Sequence, residues 1–153
     1  MEIYLEKVKK EDKEILFRLL EYSLFEESLY DFNEMNNEWL FEYKNFDLYF
    51  NNSYFIKEKD SNKLLGFVIL NINDNNSCIE EFMIIPKYRR QKIGYNAAFK
   101  CFNKYKTNWQ VTPSFNSKIA FSFWKSVISL YTNNNYILKD NTFIFNNEFV
   151  TEE

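Results

Sequence analysis

The chain has no histidine and only two glycines, two prolines and two cysteines among its 153 residues. Without histidine there can be no Ser-His-Asp or Cys-His catalysis, no HExxH zinc site and no Cys2His2 finger. Gly66 and Gly94 lie too far apart to write GxGxxG or a P-loop. Cys78 and Cys101 form no CxxC pair and cannot make a four-sulfur site, so no metal is expected. They read as buried thiols of a cytoplasmic protein, because residues 1–10 alternate apolar and charged and lack the apolar core of a secretory signal. No apolar run approaches the ~18 residues of a membrane span, which argues against a membrane partner. A net charge of −3 argues against general nucleic-acid binding.

What is present is an ordinary soluble composition, 46% hydrophobic and 27% charged, at a length that favours one domain, taken here as 1–150. Aromatic residues, 20% of the chain, are spread throughout and read mainly as core. With Gly and Pro scarce, asparagine clusters punctuate the chain, since Asn tolerates the left-handed region and bonds its own backbone. The pattern predicts a strand at 2–8, then a helix capped by Asp12 with Ile15, Leu16, Leu19, Leu20 and Leu24 on one side. An aromatic-rich helical region is expected at 34–50, and paired strands at 54–58 and 64–72. A strand at 78–85 ends at Pro86. A helix follows at 93–105, burying Ile93, Ala97, Ala98, Cys101 and Phe102. A short strand at 109–112 ends at Pro113. The last helix, 117–131, carries the rows Ile119, Phe123, Val127 and Ala120, Trp124, Ile128, and a hairpin at 136–145 closes the chain. No repeat or linker interrupts this order, so the fold class is a single mixed α/β domain.

The stretch most informative for function runs from Ile79 to Gly94. A buried strand passes into a loop where Lys87, Arg89, Arg90 and Lys92 stand within six residues, and a helix begins at its end. The first N–H groups of a helix are unpaired and carry partial positive charge, so this arrangement can hold an anion. A solvated basic turn is the plain alternative.

At Arg89-Arg90-Gln91-Lys92-Ile93-Gly94 the sequence resembles the GNAT superfamily of acyl-CoA-dependent N-acetyltransferases, whose signature is Gln/Arg-x-x-Gly-x-Gly/Ala after a strand. Ile84-Ile85-Pro86-Lys87-Tyr88 resembles the family's approach to that loop. Leu64-Leu65-Gly66-Phe67-Val68 is similar to its central hairpin, and Asn116, Ala120, Phe123 and Trp124 to its fourth helix. The resemblance implies a central, mostly antiparallel mixed sheet of about six or seven strands with about four flanking helices. It implies acetyl-CoA as co-substrate. The strand at Phe82, Met83 and Ile84 would meet the pantetheine arm, and Arg89, Arg90, Gln91, Lys92, Ile93 and Gly94 the pyrophosphate. Asn116, or Ser117, would open the helix beside the cofactor. Both prolines follow the two strands that separate in this family, which suits residues unable to extend a ladder. The chain departs from the pattern in four places. Lys92 replaces the first glycine of the signature. The Asn116–Ala120 spacing is one residue longer than the commonest pattern. Gln110 stands where many relatives have a glutamate base, and Trp124 where many have a tyrosine acid.

The expected reaction is direct acetyl transfer to a primary amine, small molecule or peptide, in a ternary complex; the alternative is a catalytically silent acyl-CoA-binding module. A homodimer is compatible with either. The candidate bases are Glu80 and Glu81. Successive strand residues face opposite ways, so one of the two is expected in the cleft. Tyr131 is the candidate acid, with core packing as its plain alternative. A backbone N–H near Met83 or Ile84 would hold the thioester oxygen. Glu26, Glu27, Asp31 and Glu34 stand among aromatics where a cationic acceptor would bind.

Overall fold

The computed structural model describes residues 1–147. The single domain expected over 1–150 therefore ends at positions that lie outside the described residues. The elements are β1 (Ile3–Lys7), α1 (Lys13–Glu27), the single turn α2 (Phe46–Tyr49), β2 (Ser53–Glu58), β3 (Leu64–Asn71), β4 (Ser77–Ile84), α3 (Ile93–Lys104), β5 (Asn108–Val111), α4 (Lys118–Thr132), β6 (Ile137–Lys139) and β7 (Thr142–Asn146). Among the described residues, seven strands make one sheet in the order β1-β2-β3-β4-β5-β7-β6. Neighbours are antiparallel except β4 and β5, which run parallel and are joined through α3.

One face is covered by α3 and α4. Helix α3 buries Ile93, Ala97, Ala98, Cys101 and Phe102, the row its sequence spacing predicts. Helix α4 buries Trp124, Val127, Ile128 and Tyr131. Its Ile119 is 77% exposed, contrary to the expected row. Steps of four residues drift about 40° around a helix, so Ile119, Phe123 and Val127 pass from exposed through half-buried to buried.

The other face is covered by α1, whose Leu16, Leu19, Leu20 and Leu24 pack on Phe55, Phe67, Ile69 and Met83. Asp12 precedes α1 as expected, but its side chain makes no capping bond. The helix expected over 34–50 does not form; only Phe46–Tyr49 is α-helical. Phe41, Tyr43, Phe46, Tyr49 and Phe50 all turn inward, and that spacing fits no single helix face. Backbone groups here bond to side chains instead. Asn36 Oδ1 accepts from the N–H groups of Glu38 and Leu40 at 2.8 and 3.1 Å, and Glu21 Oε2 accepts from the Phe41 N–H at 3.0 Å.

Two details of β3 and β4 prepare the site. Gly66 lies opposite Ile84, and a Cβ there would fall 2.1 Å from the Met83 carbonyl oxygen. Glycine is required because the strands approach too closely for any side chain. Further along, Ile69 faces Glu81 and Leu70 faces Ile79, which leaves Glu80 as an extra residue in a β-bulge.

Candidate functional site

Strands β4 and β5 pair only at their starts, Ser77 with Trp109 and Cys78 with Gln110. From Ile79 onward β4 is laddered to β3 alone. β5 ends at Val111, just before Pro113, and β4 at Ile84, just before Pro86. The result is a wedge in the sheet, closed at Cys78 and open toward the basic loop. The Ile85 N–H donates to Leu65 O at 2.8 Å. Alternation along the strand then sends the Ile84 N–H, and not that of Met83, into the wedge.

The bulge changes which side chains share a face. Ile79 and Phe82 lie toward α3 and α4, while Met83 lies toward α1. Glu80 and Glu81 both lie on the α1 side, where the two carboxylates act on the Tyr43 phenol. The expectation that only one of the pair faces the site is corrected here, because the extra residue breaks the alternation. Burial pushes the Glu81 carboxyl well above the usual range, and the charges of Glu27, Glu80 and Asp31 push it further. Burial also raises Glu27, against a lowering hydrogen bond from Ser114 Oγ at 3.3 Å, and Asp31 and Glu26 raise it further. Tyr43 is raised by burial and then by Glu81 and Glu80, so its phenol stays protonated. Glu80 Oε1 accepts from Asn71 Nδ2 at 3.3 Å and from Cys78 Sγ at 3.5 Å. Of the expected acceptor-side residues, Glu27 and Asp31 join this group. Glu26 pairs instead with Arg89, and Glu34 is exposed. Tyr43 and Ser114 were not evident from the sequence; the one available signal for Ser114 was its place directly after Pro113.

The opposite wall is aromatic. Phe82 meets Trp124 edge-on at 5.0 Å and Phe123 at 5.8 Å, and Tyr95 meets Phe123 at 5.7 Å. A Cβ on Gly94 would come within 2.9 Å of the Phe123 ring. Gly94 therefore serves the seating of α3 against α4, and its φ is not positive. Tyr131 lies apart from this wall. It is 6% exposed, packs on Phe99, Phe102 and Phe145, and its hydroxyl donates to Asn103 Oδ1 at 2.8 Å. As an acid it is misplaced, because two helical turns beyond Trp124 carry it into the core. Gln110 pairs with Cys78 and Ile144 inside the closed part of the sheet.

The loop after β4 turns through left-handed residues, Arg90 at φ 64° and Lys92 at φ 61°. Lys92 holds the N-cap position of α3 without a side-chain cap bond, so the first turn of α3 is uncapped. Arg90, Gln91 and Lys92 are exposed. Arg89 is engaged: its Nε donates to Ile84 O at 2.8 Å, and its two terminal nitrogens reach both oxygens of Glu26 at 2.8 and 3.2 Å. The N-cap of α4 is Ser117, whose Oγ accepts from the Ala120 N–H at 3.1 Å; Asn116 precedes it at φ 61°. Between the two residues left open by the sequence, the helix-opening role thus goes to Ser117.

The family model described as the acetyltransferase (GNAT) family matches residues 18–119. No curated protein is significantly similar to this chain in sequence. Among solved structures, an acetyltransferase from Thermus thermophilus superposes with a TM-score of 0.65 at 10% identity, over 95% of this chain and 97% of that one. A spermidine N-acetyltransferase from Vibrio cholerae, in complex with CoA and spermine, superposes with a TM-score of 0.53 at 11% identity, over 93% and 91%. A PaiA N-acetyltransferase from Thermoplasma acidophilum, in complex with coenzyme A, gives 0.53 at 19% identity, over 94% and 97%. These likenesses show the fold, and the match over residues 18–119 shows that this chain belongs to the GNAT family of acetyltransferases.

Proposed function

We propose that the protein transfers an acetyl group from acetyl-CoA to a primary amine by direct attack in a ternary complex. The observation that carries this reading is the wedge between β4 and β5, open toward an uncapped helix start and flanked on the α1 side by Glu81. In this reading the pyrophosphate lies at the loop of Arg89 to Gly94 and the first turn of α3. The pantetheine arm follows the free edge of β4 at Phe82, Met83 and Ile84, near Ser117 and Asn116. The Ile84 N–H, directed into the wedge, is the donor suited to the thioester oxygen.

A lysine-like amine has a pKa near 10.4, so freeing its nitrogen at pH 7 costs about 4–5 kcal/mol. Glu81 fits the role of base, since a carboxyl raised by burial is a stronger proton acceptor than a free one. The neutral amine nitrogen attacks the thioester carbon, Glu81 takes the amine proton, and the carbon–sulfur bond breaks. The thiolate then takes a proton from water, because Tyr131 is bonded to Asn103 in the core. A covalent route through cysteine is disfavoured: burial and Glu80 push the Cys78 thiol up to about 11, and burial pushes Cys101 up to about 12. Both thiols are free. Among the described residues no helix is long and apolar enough to cross a membrane.

Thiol release from acetyl-CoA against a panel of amines tests the proposal. Turnover with at least one amine supports it. Coenzyme A binding without turnover on any of them favours the silent acyl-CoA module. Acetyl found covalently on sulfur in wild type, with loss of activity in the double Cys→Ser variant, overturns direct transfer.

A further inference from the structure

The cofactor loop already holds an anion, and that anion belongs to the protein. Arg89 presents its fork to both oxygens of Glu26, the last residue but one of α1, at 2.8 and 3.2 Å. A carboxylate offers a guanidinium the same two-oxygen edge that a phosphate does. The third contact, Nε to Ile84 O at 2.8 Å, fixes the side chain where β4 ends. The side chains of Arg89 and Glu26 remain 39% and 52% exposed, so the pair can part without uncovering a buried charge. The next residue, Glu27, accepts from Ser114 on the β5 side of the wedge. One turn of α1 is thus fastened to both lips of the cleft, through Glu26 to the β4 loop and through Glu27 to the residue after Pro113.

We infer that Glu26 is an internal occupant of the cofactor site: its carboxylate holds Arg89 in the free protein and is displaced by a phosphate of coenzyme A. This rests on the proposed reading that coenzyme A binds at the loop of Arg89 to Gly94. The exchange keeps the guanidinium neutralised in both states and keeps its Nε on Ile84 O. Once released, Glu26 stands beside Glu27 on the acceptor side, so cofactor binding adds a negative charge where a cationic amine would approach.

Calorimetry with coenzyme A on wild type, Glu26→Gln, Arg89→Gln and the double variant tests the inference. Glu26→Gln removes the competitor and should tighten binding about three- to fivefold, the range of an exposed pair near its upper limit. Arg89→Gln should weaken binding, and adding Glu26→Gln to it should then change nothing. Equal or weaker binding by Glu26→Gln overturns the inference. So does the same tightening in both backgrounds, which would show a general charge effect in place of a specific exchange. Thermal melting of each variant confirms that the folded protein is being titrated. A wild-type chain that binds no coenzyme A overturns the reading beneath the inference as well.

Discussion

The two faces of the sheet are built differently. Against α3 and α4 the packing is apolar and regular: Phe102, Trp109 and Phe143 are fully buried, and two full-length helices supply the cover. Against α1 the sheet also carries a hydrophobic core, but the segment between α1 and β2 is mostly irregular, and Trp39, Glu42 and Asn45 sit at φ values of 62, 55 and 66°. Here Glu80 and Glu81 are brought to one side by the bulge, and the charges of Glu27 and Asp31 act on Glu81. The difference teaches where each kind of free energy is spent. The α3/α4 face gains stability from buried aromatic area. The α1 face accepts crowded carboxylates, which are costly, and residues held at such cost cluster at functional sites.

The comparison breaks first, and with the largest effect, at Glu81. If the α1 side carries the chemistry, Glu81→Gln should lower kcat about 10²–10⁴-fold, while Glu80→Gln loses less. Steady-state thiol release with the best amine of a panel measures both. Undiminished turnover in Glu81→Gln would move the base elsewhere. A Trp124→Phe variant, on the opposite wall, should keep most of its kcat.

Gly66 is the point where both faces depend on one strand contact. A Cβ there would fall 2.1 Å from the Met83 carbonyl oxygen, which belongs to backbone that cannot swing aside. Gly66→Ala should therefore force β3 and β4 apart and cost on the order of 3 kcal/mol. Gly94→Ala meets a ring edge 2.9 Å away and should cost less, because Phe123 can rotate. Equal denaturant midpoints for the two alanine variants would contradict this ranking.

Much of this was legible before any coordinates. The strands and long helices fall near their expected places because each carries its own period of buried residues, as α3 does with Ile93, Ala97, Ala98, Cys101 and Phe102. The basic loop was legible because local charge density and a helix start are properties of contiguous residues. What was not legible depends on distant partners. The bulge at Glu80 is a mismatch between two strands, visible only when both are paired. The segment 34–50 carries aromatics in abundance, but their inward direction is set by α1 and the sheet. The engagement of Arg89 depends on Glu26, 63 residues earlier.

The pH dependence of stability sharpens the contrast between the faces. Burial and neighbouring carboxylates raise Glu81 and Glu27 in the folded state above the unfolded value near 4.3. A carboxyl with a raised folded pKa gives stability that is fully present below the unfolded pKa and is lost as pH rises through the folded one. The contribution of these two carboxyls to stability should thus fall from about pH 4 upward through the raised values. Glu81→Gln should flatten that slope and raise Tm at pH 8 more than at pH 5, by about 2–4 °C for each kcal/mol regained at this size. Scanning calorimetry at the two pH values reads it directly. A variant that melts in parallel with wild type at both would show that the charges are relieved in the folded protein.

Lys92 should give the smallest effect and separates backbone cost from charge. It stands at φ 61°, ψ 11°, where a side chain is disfavoured by roughly 1–2 kcal/mol and glycine is not. Glycine also loses more entropy on folding, so Lys92→Gly should gain only about 0.5–1 kcal/mol, while Lys92→Ala stays near wild type. The same variant tests what the ammonium does at the loop. Lys92 is exposed at the uncapped start of α3, so its charge is free to meet a phosphate. Lys92→Gly should therefore bind coenzyme A more weakly than wild type and lose affinity less steeply as salt rises, despite its gain in stability. Binding as tight as wild type with an unchanged salt slope would show that the backbone N–H groups of the loop hold the phosphate unaided. The strained lysine would then be a cost without a return in cofactor affinity.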